Sequence, residues 1–158
     1  MMDTEKQIML RPEDITENIV IIKINQLYRT DMTDLELYET TRGIWRRRIE
    51  SVQDAEYALA VVKGRVVEVY SIDNWYPAGS VPMATRKLDP DRCKNRIEFT
   101  GKVASDKIRR KYIGKSIAGL FKFGEANPVK ILPGIKMRDL RGVAKTTGDP
   151  EEIKKKLI

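Results

Sequence analysis

Apolar side chains in this chain fall into short β-branched runs, separated by polar connections marked with proline and glycine, with one well-signalled helix among them. "NIVIIKIN", residues 18 to 25, is apolar on both faces and predicts a buried strand. After the linker "QLYRTDM", Thr33-Asp34-Leu35-Glu36 has the form of a capping box. The Thr33 hydroxyl accepts from the Glu36 N–H while the Glu36 carboxylate reaches back to the cap. The helix so started puts Leu37, Tyr38, Thr41, Ile44 and Trp45 on one stripe, with Glu39, Gly43 and Arg46 on the other side. Gly43 costs that helix about 1 kcal/mol relative to alanine. "EYALAVVKGRVVEVYSID" predicts strands over 57 to 62 and 65 to 72, joined at Lys63-Gly64 by a tight hairpin turn. The second of these is apolar on both faces, as suits a strand in a closed barrel or one covered on both sides.

Residues 73 to 95 lose periodicity and contain three prolines and a glycine; a connection this long is usually functional or mobile. "RIEFTGKV", residues 96 to 103, restores strict alternation, with Ile97, Phe99 and Val103 on one face and Arg96, Glu98, Thr100 and Lys102 on the other. Gly101 on the apolar face points to a bulge or a close backbone approach. Ser105 and Asp106 can cap a short helix that buries Ile108 and Tyr112, with Gly114 placed to end it. Ser116 can cap another short helix, and "NPVKIL", residues 127 to 132, offers a last strand. The expected organisation is an N-terminal extension over 1–17, one domain over 18–132 and a basic C-terminal tail over 133–158 that can carry a short helix.

Composition narrows the chemistry. The chain of 158 residues is 41% hydrophobic and 34% charged, ordinary for a globular protein, and no apolar run is long enough to span a bilayer. The start is acidic and polar rather than a secretion signal, and the single Cys93 forms no internal disulfide, so a reducing, cytoplasmic setting is expected. Histidine is absent, which removes the commonest general base and, with one cysteine, any ordinary zinc ligand set. No metal or other cofactor is expected. Charge is uneven: residues 1 to 101 carry 15 basic and 17 acidic side chains, and residues 102 to 158 carry 15 basic and 6 acidic. A basic second half suits a polyanion, most simply nucleic acid, although a solvated lysine-rich surface has the same composition.

The motif "RRKYIGKSIAGLF", residues 109 to 121, contains the Gly-Lys-Ser that ends a P-loop, but Arg109 stands where the first P-loop glycine belongs, and the preceding residues read as a helix rather than a strand. Its Tyr112-Ile113-Gly114 echo of a nuclease signature lacks a paired upstream element and any histidine. A metal-nuclease pattern of Glu-x-Lys type is not met either, since Thr100 stands two positions after Glu98, where the lysine belongs, and Glu152-x-Lys154 lies in the expected terminal helix. No catalytic residue is assigned.

The segment "LELYETTRGIWRR…AEYALAVVKGRVVEVYSIDNWYPAG…RIEFTGKVASDKIRRKYIGKSI…ANPVKIL" resembles a family of uncharacterised bacterial and phage proteins. Its shared pattern pairs the helix carrying Tyr38, Glu39, Thr41, Arg42, Gly43 and Trp45 with the hairpin and the later Phe-x-Gly strand. The order of elements is also similar to the PUA-like barrels, which include the ASCH, EVE and YTH domains. The resemblance implies an α+β fold, a small, bent, mixed β-barrel with peripheral helices. It also implies binding of RNA or DNA, with a modified or flipped base read in an aromatic pocket.

On that basis the expected nucleic-acid-binding residues are Arg42, Trp45, Arg46, Trp75, Tyr76, Arg86, Lys115 and Asn127, the aromatics stacking on bases and the cations meeting phosphate. Each has a plainer role available. Trp45 at helical spacing can be core, and Trp75 can plug a barrel end. Arg46 to Arg48 can be a solvated run, Arg42 can pair with Glu39, and Asn127 before Pro128 can shape a turn. Two other functions stay open: a protein-interaction factor that blocks a host enzyme, and a magnesium-dependent nuclease using Glu68, Asp73 and Glu98.

Overall fold

A computed structural model describes residues 8–122, 125 and 127–134. Most of the expected C-terminal tail, with its helix, lies outside the described residues. The strands are β1 (Ile19–Lys23), β2 (Gly43–Trp45), β3 (Tyr57–Val62), β4 (Arg65–Pro77), β5 (Ile97–Val103) and β6 (Val129–Leu132). Between them lie α1 (Asp34–Arg42), α2 (Ile49–Val52), α3 (Pro90–Cys93) and α4 (Asp106–Tyr112). The strands form one mixed sheet in the order β2-β5-β4-β3-β1-β6, curled into a half-barrel with the short helices outside it. Among these strands only β1 and β3 run parallel, because α1, β2 and α2 carry the chain across between them.

The central strand β1 is apolar on both faces because both faces are covered. Ile19 and Ile21 join Leu59, Val61, Val66 and Val69 beneath Leu10, Ile108, Tyr112 and Leu120. Val20 and Ile22 join Ala58, Ala60, Tyr70 and Phe99 on the opposite side, against Leu37, Tyr38, Trp45 and Trp75. Each fully buried isoleucine contributes roughly 1.5–3 kcal/mol, so this double burial sets the position of the strand.

Curvature comes from β4. Its register slips against β3 between Ala60 and Val61, and against β5 at Asp73, between Ile72 and Asn74. Bulges of this kind bend a strand and increase its twist. At the second slip a Cβ on Gly101 would lie 1.9 Å from the Ser71 carbonyl oxygen, so only glycine permits the approach. The hairpin turn has Lys63 at φ 49 and Gly64 at φ 78, the left-handed pair of a type I′ turn. Both halves of the Thr33/Glu36 capping box form, and Ser105 caps α4.

Two sequence expectations are corrected. The helix begun at Thr33 stops at Arg42, and Gly43-Ile44-Trp45 becomes the edge strand β2, paired with β5. The glycine serves that pairing: a Cβ at Gly43 would stand 2.9 Å from the Glu98 Cβ. Trp45 is therefore a strand residue, and its indole N–H donates to the Thr41 carbonyl at 2.8 Å, satisfying an acceptor at the end of the helix. The connection after residue 72 is also less irregular than its composition suggests, since β4 continues to Pro77 and α3 occupies Pro90–Cys93. Among the described residues no helix is long and apolar enough to cross a membrane.

Candidate nucleic-acid interface

Residues 78 to 96 carry Arg86, Lys87, Arg92, Lys94 and Arg96, and three buried charges hold this segment in place. Glu39, on the α1 face expected to meet water, is buried; its carboxylate accepts from the Ala84 N–H at 2.9 Å and from the Thr85 N–H and hydroxyl at 2.7 and 2.6 Å. Burial alone would raise its pKa, but the Thr85 and Ala84 donors and the Arg42 charge hold it below the ordinary carboxylate value. Glu98, expected to point outward from β5, is 0% exposed and accepts from the Val81 N–H at 2.8 Å.

Arg42 lies 3.5 Å from Glu98 and is 2% exposed. Its guanidinium donates to the Val81 and Pro82 carbonyls at 3.1 and 3.0 Å. Arg42, one of the expected nucleic-acid contacts, therefore has its donors turned inward onto the loop. Arg86 donates through Nη1 to the Glu39 and Gly43 carbonyls. Burial, together with the neighbouring Arg42 charge, pushes the pKa of Arg86 down.

Beside this scaffold opens a cleft of about 510 Å³. Its wall includes Trp45 and five cations, Lys23, Arg46, Arg86, Arg92 and Arg96, with no carboxylate among the described residues that line it. Lys23 is steadied by the Phe121 ring, 3.9 Å below its ammonium. Arg47, next to Arg46, donates to the Val129 carbonyl and so ties the arginine run to β6. Among the described residues no carboxylate forms an ion pair with Arg46, Arg92 or Arg96. Unneutralised cations in a concavity focus field at its mouth and attract an anion.

Three of the expected site residues meet here: Trp45, Arg46 and Arg86. Three that sequence reading missed join them: Lys23, Arg92 and Arg96. Trp75 lies elsewhere. It stacks edge-on to Phe99 at 5.2 Å and borders a depression of about 450 Å³ whose lining includes Asp54, Glu56 and Asp73, a poor setting for a polyanion. Its partly exposed neighbour Tyr76 pairs with Glu98 across β4 and β5. The tryptophans do not share a pocket. Lys115 lines a third depression with Leu10, Arg11, Asp14 and Lys111. Asn127 is exposed and donates to Glu125 at 3.3 Å.

The carboxylates weighed for metal chemistry are dispersed. Glu68 is bound by Arg109 through two bonds of 2.8 and 3.2 Å, Glu98 is paired with Arg42, and Asp73 is the exposed bulge residue. Among the described residues no three histidine, cysteine, aspartate or glutamate side chains gather closely enough to hold a metal ion. No protein-family model, curated protein or solved structure matches the chain.

Proposed function

We propose that this protein is a nucleic-acid-binding module of PUA-like kinship, working in a reducing cytoplasmic setting, and that the cleft beside Trp45 is where it meets the phosphate backbone. One observation carries the reading: five cations line a single concavity whose described walls contain no carboxylate. The part-buried tryptophan at its wall has its indole N–H already committed to Thr41, so its orientation is fixed and its accessible surface is available for stacking.

Neutralising phosphates releases counterions, so affinity should fall log-linearly with salt, with a slope of about −0.7 per phosphate neutralised on a single strand and about −0.9 on a duplex. Fluorescence titration of labelled oligonucleotides over a range of salt tests this. Replacing Arg46, Arg92 and Arg96 by glutamine should flatten the slope by roughly 0.7–0.9 for each phosphate that no longer meets a cation. Lys115→Gln, at a separate depression, should leave it unchanged. Absence of binding at low salt, or a slope indifferent to the three arginines, removes the proposal.

A further inference from the structure

Building on that reading, we infer that the cleft takes a single-stranded nucleotide unit, its phosphate held by Arg46, Arg92 and Arg96 and its base entering an adjoining apolar slot. The slot, of about 400 Å³, is walled by Val81, Pro82, Met83, Leu88, Pro90 and Cys93. Arg86 is the one charged side chain among the described residues that line it, and it lines the basic cleft as well. A phosphate site and an apolar site therefore share one arginine side chain. This juxtaposition fits a ligand that is anionic at one end and flat and weakly polar at the other.

The slot is built in advance. Arg42 holds the Val81 and Pro82 carbonyls, Glu98 holds the Val81 N–H, and Glu39 holds Ala84 and Thr85, so one stretch of wall is pinned at each end. Arg86 is fixed through Nη1 alone; its other guanidinium nitrogens carry no hydrogen bond among the described residues. Such a donor pair can be satisfied by the acceptors on a base edge, as arginine commonly does with guanine. Inorganic phosphate would leave the apolar walls wet. A duplex would have to unpair a base to fill them, at a cost of a few kcal/mol. A single strand supplies both parts without that cost.

Cys93, the only cysteine of the chain, is partly exposed and lines the slot, so its alkylation reports occupancy directly. The full-length protein is treated with iodoacetamide alone, with a saturating short single-stranded oligonucleotide, and with an abasic strand of the same length. The base-containing strand should slow alkylation about tenfold. The abasic strand should show the same salt slope without protecting Cys93. Cys93→Phe, which fills the slot, should weaken base-containing strands about tenfold and leave abasic strands unaffected. If that variant does not fold, protection decides; if Cys93 is unreactive in the free protein, the wild-type affinity ratio of base-containing to abasic strands decides. Equal affinities with no protection leave phosphate binding in place and overturn the base slot. Failure of every strand to bind in a salt-dependent manner removes the function proposed above as well.

Discussion

Replacing Arg42 by methionine tests whether the charges under the loop are structural. The substitution keeps an unbranched apolar stem while deleting the guanidinium, and with it the 3.5 Å ion pair with Glu98 and the hydrogen bonds to Val81 and Pro82. Glu98 then remains a fully buried carboxylate with the Val81 N–H as its partner and Oε1 without any hydrogen bond. Stranding one partner of a buried pair costs about 3–5 kcal/mol, most of it the uncompensated charge rather than forfeited attraction. At about 2–4 °C per kcal/mol for a chain of this size, Tm should fall by roughly 6–20 °C. Urea unfolding followed by circular dichroism gives the free energy directly.

The double variant Arg42→Met/Glu98→Met separates charge from packing. With both charges gone, most of the stability should return, leaving the Val81 and Pro82 groups to regain water at the loop surface. A single-variant loss under about 1 kcal/mol, or a double variant no better than the single, refutes the account. At a temperature where Arg42→Met is folded, the salt slope for oligonucleotides should match wild type. An unchanged Tm with a flattened slope would instead make Arg42 a phosphate ligand.

Other expectations follow from single positions. Gly101→Ala should cost about 3 kcal/mol or more in urea unfolding, because its Cβ would sit 1.9 Å from a backbone oxygen that cannot withdraw without breaking the β4–β5 ladder. Thr33→Ala should cost about 1 kcal/mol through loss of the cap, with little change in oligonucleotide affinity. Lys63→Asn should raise stability by a few tenths of a kcal/mol, since φ 49 suits asparagine better than lysine. Glu39 has a folded pKa below its ordinary value of 4.5, so its contribution is present above that pH and is lost as pH falls through the folded value. Glu39→Gln should therefore flatten stability against pH between roughly 4.5 and the folded value, and an unchanged acid limb would argue against the clamp on Thr85.

The strands and the capped helix were legible in the sequence because local signals and burial agree there. Alternation in "RIEFTGKV", the Lys63-Gly64 turn and the Thr33/Glu36 box each state a local preference that the half-barrel satisfies. Gly101 was legible for the same reason, as a residue whose missing side chain lets one backbone pass another. Gly43 misled because a helix glycine and a strand glycine look alike in sequence. The deciding fact, a Glu98 Cβ 2.9 Å away, comes from a residue 55 positions later. Periodicity places Glu39 and Glu98 opposite the apolar stripe of α1 and the apolar face of β5, and it assigns a face but not what covers it; the loop that covers both follows α1 and precedes β5 in the chain.

Charge along the chain and charge at the cleft are distributed differently. The half-by-half count puts the excess of bases in residues 102 to 158, whereas all five cleft cations come from the first 101 residues, where acids outnumber bases. The difference lies in pairing. Among the described residues of the second half, Arg109 is bound to Glu68, Lys111 to Glu17 and Lys130 to Glu125, so these three cations are held by the domain itself. In the first half Glu39 and Glu98 are turned inward to hold the loop, and their negative charge is withdrawn from the surface that carries Arg92 and Arg96. Burying two carboxylates under the loop thus does two things at once: it fixes the segment and leaves Arg92 and Arg96 without a carboxylate partner among the described residues. The charge such a cleft presents is set by which carboxylates are buried, and that is decided by tertiary contacts between α1, β5 and the loop rather than by the net charge of any stretch of sequence.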